Sequence, residues 1–201
     1  MKKVLYFDTE TTGLDPVRND IIQLAGLVEI DGEIKDEFNI RCLPFSFENI
    51  SPEALEVHGI TIEELKKYQS PQSAYREFMG VLSKHCNKFD RSDKFYPAGF
   101  QVNFDINFLS EWFKKNGDTY LGSWLNWKAI DPLSILRWFD YMGIISLPSY
   151  KLEKVCEHYG IEIDAHDALS DIKATREVMI RLVNLTIFRE QDMAAGHDGM
   201  V

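Results

Sequence analysis

The sequence predicts a single α/β domain, and three observations indicate it. A short apolar run, residues 4–7, is rich in strand-forming residues and ends at two carboxylates. Two longer strand patterns, residues 21–30 and 34–42, are joined at Asp31-Gly32, a dipeptide typical of hairpin turns. Helical patterns fill most of the remainder, and 201 residues are enough for one domain with a sizeable core.

The first strand is predicted to be buried on both faces, because residues 4–7 are all apolar. It places Asp8 and Glu10 on one face, since side chains alternate along a strand. Two buried carboxylates need a proton, a basic side chain or a metal beside them, and oxygen ligands favour Mg²⁺ or Mn²⁺. Water-facing acids and an aspartate-nucleophile phosphatase remain open alternatives. An EF-hand is excluded because Asn19 stands where that loop requires a bidentate acid.

The two hairpin strands should join the first strand in an antiparallel trio. In the second of them only Asp36 interrupts a face of apolar residues. A short strand is predicted over residues 95–99, although Pro97 restricts it to an edge or a bulge. Another brief strand is predicted at Ala129-Ile130.

Helix starts are marked by residues that cap the first turn. They are Ser51-Pro52, Thr61 with Glu64, Ser70-Pro71 and Asp131-Pro132.

Two helices carry an acid on the face that should be buried. Asp105 leads a stripe of apolar residues at helical spacing, and Asp171 lies in line with Ala168 and Val178. An acid in the first turn also complements the helix dipole. The dipole would explain why the acid lies near the start of the helix, but not why it lies on the buried face. His166 lies just before the last helix.

Composition narrows the possible function. A net charge of −10 argues against a protein that coats nucleic acid non-specifically, but it leaves room for an enzyme that binds a strand end beside bound metals. Three widely spaced cysteines predict reduced thiols, and the absence of a signal-peptide or membrane-spanning pattern predicts a soluble cytoplasmic protein. Residues 1–189 are predicted to form the domain and residues 190–201 a flexible tail.

Four inward carboxylates on three separate elements would repel one another unless cations lay between them. Two divalent ions would remove that repulsion and support an in-line attack of water on a phosphodiester. Such a reaction needs a base for the proton of the water, and histidine is the side chain that titrates near neutrality.

Three motifs occur in the order typical of one family. They are FDTETTGL at residues 7–14, NFD at residues 103–105 and HDALSD at residues 166–171, with weaker agreement at residues 57–61 and 150–153. Over roughly residues 4–185 the chain therefore resembles the DEDDh exonucleases, a group that includes the proofreading subunit of bacterial DNA polymerase III.

The resemblance implies a ribonuclease H-like α/β fold with a mixed five-stranded sheet, whose first three strands are antiparallel and which helices flank. It also implies metal-dependent release of nucleoside 5′-monophosphates from the 3′ end of a nucleic acid, with two Mg²⁺ or Mn²⁺ ions. The partners would be a single-stranded 3′ end of DNA or RNA, with DNA favoured, and a DNA polymerase. Carried over by position, the metal ligands would be Asp8, Glu10, Asp105 and Asp171, and the general base would be His166.

The resemblance also implies four substrate contacts. Leu14 would wedge against the terminal base, and Thr11, Gly13 and His58 would contact the last nucleotide. One departure affects this region, because Phe100-Gln101 replaces the His-Asn pair that the family usually carries. Two other functions remain alternatives: an exonuclease-like module that binds nucleic acid without cutting it, and the aspartate-nucleophile phosphatase.

Overall fold

The computed structural model describes residues 2–195, and the side chains of residues 2–185. In chain order the strands are β1 (Lys3–Thr11), β2 (Ile21–Ile30), β3 (Glu33–Arg41) and β4 (Tyr96–Ala98). The helices are α1 (Pro52–His58), α2 (Ile62–Leu65), α3 (Pro71–His85), α4 (Asn103–Lys115), α5 (Pro132–Tyr141), α6 (Leu152–Tyr159) and α7 (Ala168–Ala195).

The strands form one mixed sheet in the order β3-β2-β1-β4. The first three strands are antiparallel, as predicted, and β4 runs parallel to β1. The hairpin between β2 and β3 turns at Asp31 and Gly32, whose φ angles are 51° and 88°. Positive φ at both turn residues is the geometry that matches the twist of a two-residue hairpin, which explains why the dipeptide predicted the turn.

Strand β1 lies at the centre of the sheet and separates two packed layers. Leu5 and Phe7 belong to the large core that α3 and α4 contribute to. Tyr6 points to the other face, where it packs with Ala98 and with Ile172 of α7. Because side chains alternate along a strand, Asp8 and Glu10 continue the Tyr6 face toward the end of the sheet.

The helix starts follow the predicted caps. The Thr61 hydroxyl accepts a hydrogen bond from the amide of Glu64, whose carboxylate accepts one from the amide of Thr61. At the other predicted starts the cap side chain accepts a hydrogen bond from a first-turn amide, and proline is the first helical residue. Asp36, which interrupts the apolar face of β3, is paired with Lys84 at 2.8 Å and with His85 at 3.0 Å.

The prediction of a fifth strand is wrong, because the sheet in the described residues has four strands. The segment 125–130 meets the outer edge of β4 only through isolated bridges, from Phe95 to Leu125 and from Ala98 to Ile130. Ala98 follows Phe95 by three residues, whereas Ile130 follows Leu125 by five. The segment therefore has two more residues than a regular ladder can pair, and these bulge out of register. Pro97 contributes to this loss of regular pairing. Its carbonyl accepts a hydrogen bond from the Ile130 amide at 2.8 Å, but proline has no N–H to donate to the segment in return.

Helix α7 packs on β1 and β2 and is held to the sheet by ion pairs. Lys173 pairs with Glu37 at 2.9 Å, and Arg176 pairs with Glu29 at 2.7 Å. The helix runs through the predicted division at residue 189, and residues 196–201 of the predicted tail lie outside the described residues. Among the described residues, no helix combines the length and the apolar character needed to span a bilayer.

Candidate active site

Three carboxylates from two elements meet where β1 ends. Asp8 and Glu10 of β1 and Asp171 of α7 can each offer one oxygen so that the three oxygens lie within 4.8 Å of one another. Asp171 reaches this point because α7 begins with Asp167 as its cap, whose carboxylate accepts a hydrogen bond from the Ser170 amide at 3.0 Å. The predicted convergence of these three acids is therefore present in the structure.

The fourth predicted acid, Asp105, enters from the opposite layer. It lies in the first turn of α4 and is only 3% exposed. Its Oδ1 accepts hydrogen bonds from the backbone amide of Thr9 at 3.0 Å and from the Thr9 hydroxyl at 2.7 Å. Thr9 lies between the two acids of β1, and because its side chain points to the other face it ties Asp105 to the same strand.

His166 lies immediately before α7, at the mouth of the site. Its side chain is about half exposed, and its backbone amide donates to Asp171 Oδ2 at 3.3 Å. The imidazole Nε2 lies 3.6 Å from a carboxylate oxygen of Glu153 on α6. Its φ of 69° is unusual for a residue with a side chain, and such backbone geometry is common at functional sites.

One cavity of about 380 Å³ brings the predicted residues together. It is lined by Asp8, Thr9, Glu10, Val57, Phe100, Gln101, Phe104, Asp105, His166 and Asp171. Thr9, Val57 and Phe104 also line it; they lie within the matching motifs, but no role in the site was predicted for them. Glu153 lay within a weakly matching segment, but nothing in its spacing indicated contact with His166.

Burial and mutual repulsion raise the pKa values of the carboxyl groups in this cavity. The pKa of Glu10 is raised to about 8, chiefly by burial and then by the charges of Asp171 and Asp105. Burial raises the pKa of Asp105 to about 7 against the opposing hydrogen bonds from Thr9, and it raises that of Asp171 to about 6. The pKa of Asp8 is also raised well above its usual range, by burial and by its carboxylate neighbours.

The donor set suits a divalent cation. All four acids supply oxygen ligands, which Mg²⁺ and Mn²⁺ prefer. Asp171 Oδ1 is buried and has no hydrogen-bond partner among the described residues, so it is available to a ligand. A cation at this point would also offset the repulsion that raises the pKa values.

These shifts predict a stability that depends on pH. Folded-state pKa values above the unfolded range near ~4 mean that the folded protein holds these protons more tightly. This contribution to stability is complete below about pH 4 and is lost as the pH rises to about 8. We expect urea unfolding of the metal-free protein to show a falling free energy of unfolding across this window. Glu10→Gln should make the fall shallower, and a free energy that rises across the window would contradict the assignment.

The four predicted substrate residues, Thr11, Gly13, Leu14 and His58, are not among the described residues that line this cavity. Leu14 is 85% exposed on the turn after β1. Thr11 is buried, and its hydroxyl donates to the carbonyl of Gly13 at 2.7 Å. His58 Nε2 is buried without a hydrogen-bond partner in the described part of the chain, and burial lowers the pKa of this histidine. Their roles in binding stay predictions.

The Phe100-Gln101 pair occupies one wall of the cavity. Gln101 has a φ of 59°, a left-handed conformation that asparagine adopts more readily than glutamine. Its backbone amide donates to Asp131 Oδ1 at 3.2 Å, and the same oxygen caps α5. Phe100 packs against the core cluster that contains Leu136 and Phe139. The departure from the usual His-Asn therefore changes the wall of the site and leaves the four acids in place.

The fold and the cavity define an α/β domain with a carboxylate-lined site suited to cations. The chain belongs to the exonuclease family, whose model matches residues 5–179. The resemblance inferred from the three motifs is thereby confirmed.

The chain is similar in sequence to two kinds of DNA polymerase III protein. It is 32% identical to DNA polymerase III PolC-type of Thermotoga petrophila over 181 residues, which cover 89% of this chain and 12% of that protein. It is 24% identical to DNA polymerase III subunit epsilon of Aquifex aeolicus over 183 residues, covering 90% of this chain and 81% of that protein. The chain thus spans only about an eighth of the PolC-type relatives that it matches.

The fold is also shared with solved structures. E. coli exonuclease I in complex with a dA16 oligonucleotide has a TM-score of 0.74 and 26% identity, covering 92% of this chain and 41% of that one. A zinc-bound complex of E. coli exonuclease I with single-stranded DNA has a TM-score of 0.77, with 98% of this chain and 43% of that one covered. At 23% identity, this second likeness shows the fold alone.

Proposed function

We propose that this chain is a metal-dependent 3′–5′ exonuclease domain. It releases nucleoside 5′-monophosphates from the single-stranded 3′ end of a nucleic acid, with DNA favoured. The observation that carries this proposal is the convergence of Asp8, Glu10 and Asp171 on one cavity with Asp105 and His166. Membership of the exonuclease family and the likeness to exonuclease I in complex with an oligonucleotide support it.

The residues of the cavity have separate roles in this proposal. Asp8, Glu10, Asp105 and Asp171 would hold two divalent cations, Mg²⁺ or Mn²⁺, and Thr9 fixes one oxygen of Asp105. Bound cations would lower the pKa of the attacking water and would neutralise the charge on the leaving oxygen. His166 accepts the proton of the attacking water, and its half-exposed ring at the cavity mouth leaves it free to pass that proton to solvent.

Partners follow from the relatives. The PolC-type and epsilon relatives are DNA polymerase III proteins, and this favours a DNA polymerase as the partner of the domain. Residues 1–189 form the exonuclease domain in this proposal.

The two alternative functions predict different properties of the site. A phosphatase would form an acid-stable aspartyl phosphate on Asp8, and a binding module should lack one of the five residues.

The direct test is digestion of end-labelled single- and double-stranded DNA and RNA with Mg²⁺, Mn²⁺ or EDTA. We expect stepwise shortening of the 5′-labelled single strand and release of 5′-monophosphates, only with metal present. Products that carry 3′-phosphates, release from the 5′ end, or a trapped aspartyl phosphate would each overturn the proposal.

Leu14 offers a test of the substrate contacts. Leu14→Ala should weaken the use of short single strands, because an exposed apolar side chain beside the site is lost. Hydrolysis of a minimal chromogenic phosphodiester, which has no terminal base to wedge, should be unaffected. Val17→Ala, at an exposed apolar position on the same loop, is the matched control. Equal losses on both substrates would remove the wedge role.

A further inference from the structure

Aromatic and basic side chains lie together along the outer edge of β4. This edge stripe consists of the exposed residues Lys88, Phe89, Trp127 and Lys128, with the buried ring of Trp124 beneath Lys88. Phe89 is 86% exposed and Trp127 is 87% exposed. Aromatic rings exposed beside lysines offer a surface that suits an anionic ligand with flat apolar faces.

The lysines of the edge stripe lie over its rings. Lys88 Nζ is 5.3 Å from the centroid of Phe89 and 5.8 Å from that of Trp124, and Lys128 Nζ is 5.7 Å from that of Trp127. Neither lysine forms an ion pair with a carboxylate of the described residues, whereas Lys3 and Lys84 nearby are paired. In a chain with a net charge of −10, the stripe therefore carries two positive charges that no carboxylate of the described residues pairs.

The two-residue bulge explains why Trp127 and Lys128 project. The Phe95 amide donates to Trp124 O at 3.0 Å, and the Asn126 amide donates to Phe95 O at 2.7 Å. A regular parallel ladder would next pair Lys128 with Pro97, but the Ile130 amide takes that place. Three residues therefore lie between Asn126 and Ile130 where a regular ladder would have one, and Trp127 and Lys128 among them are exposed.

The edge stripe leads to the acidic cavity. It begins beside a cavity of about 530 Å³ next to Lys88 and Phe89, where β4 begins. It ends where Asp131 accepts a hydrogen bond from Gln101, a residue of the acidic cavity. Residues 95–99 span about 13 Å at ~3.3 Å per extended residue. That length corresponds to about four stacked nucleotides at ~3.4 Å each.

We propose that the edge stripe binds the nucleotides upstream of the 3′ end of a single-stranded substrate. Trp127 and Phe89 stack on bases, and Lys88 and Lys128 lie beside phosphates. Stacking of bases on aromatic rings, together with lysine contacts to the backbone, is how single strands are held without sequence preference. The inference rests on the proposed exonuclease function, and it assigns the path that the strand takes away from the cavity.

The test compares Trp127→Ala with the parent protein on single strands from two to about twelve nucleotides long. KM should rise about tenfold on strands longer than about five nucleotides and much less on the dinucleotide, because only long strands reach the stripe. Trp127→Phe should restore most of the affinity. In EDTA, where nothing is cut, a labelled single-stranded oligothymidylate should show the same loss of affinity by fluorescence anisotropy.

The lysines give a second readout. Lys88→Gln and Lys128→Gln should each lower the slope of log affinity against log salt by about 0.7, the value for one phosphate contact on a single strand. Tyr141→Ala and Lys114→Gln, exposed residues elsewhere on the surface, serve as controls.

Two failures can be told apart. If the parent protein cuts no nucleic acid, the proposed function is wrong. If it cuts single strands but the stripe variants match it at every length and salt concentration, only the edge stripe proposal is overturned. This second result would also be the outcome if the stripe bound a protein.

Discussion

Replacing Asp8 or Asp171 with asparagine is expected to abolish hydrolysis while stabilising the metal-free protein. Each change replaces a charged carboxylate of the proposed cation site with a neutral amide. Loss of a single electrostatic contact in a catalytic site lowers the rate by about 10²–10³-fold. Each also removes repulsion among carboxyl groups whose pKa values are raised. Relief of one pKa unit corresponds to ~1.4 kcal/mol. For a chain of this size that is about 3–6 °C in the unfolding midpoint.

The stabilisation should depend on pH in a defined direction. Above about pH 8 Asp171 is ionised and Glu10 is more than half ionised, so the asparagine variants should unfold at the higher temperature in EDTA. At about pH 4 the parent carboxyl groups are protonated and neutral, so the difference should shrink. Glu63→Gln, at an exposed carboxylate that pairs with Lys66 at 3.8 Å, should change neither hydrolysis nor the pH profile. Near-parental turnover in Asp8→Asn or Asp171→Asn would show that the assigned ligands are wrong.

His166→Ala should lower turnover by about 10²–10⁴-fold, the usual range for the loss of a general base. Affinity for Mn²⁺ should change little, because the ring is directed to Glu153 at the cavity mouth and the backbone amide that bonds Asp171 remains. Single-turnover rates and Mn²⁺ titration by calorimetry measure the two effects separately. His158→Ala, which removes an exposed histidine from α6, is the matched control. A large loss of Mn²⁺ binding in His166→Ala would instead make this residue a ligand.

The acids of the site could be predicted because local periodicity decides which face a side chain occupies. The i, i+2 spacing of Asp8 and Glu10 and the helical stripes behind Asp105 and Asp171 fixed their direction without knowledge of the whole fold. The helix caps were equally local, since Thr61 and Glu64 satisfy each other within one turn. The presence of His166 in the same cavity followed from its place just before Asp171.

Other features could not be predicted because they depend on register and contact between distant segments. The loss of the fifth strand depends on two surplus residues between Leu125 and Ile130, and no local propensity reveals such a mismatch. The bond from Thr9 to Asp105 joins residues 96 positions apart. Gln101 has a left-handed backbone conformation that glutamine rarely adopts, so contacts with the surrounding residues determine this conformation.

The bulge beside Pro97 has a consequence for self-association. An outer strand with a free row of amides and carbonyls invites a second molecule to add its own strand. Here the segment 125–130 covers that edge of β4, and its exposed residues Trp127 and Lys128, one of them charged, keep a neighbouring chain from lying flat against the segment. The same irregularity that costs the sheet a strand therefore protects the protein from aggregation at that border.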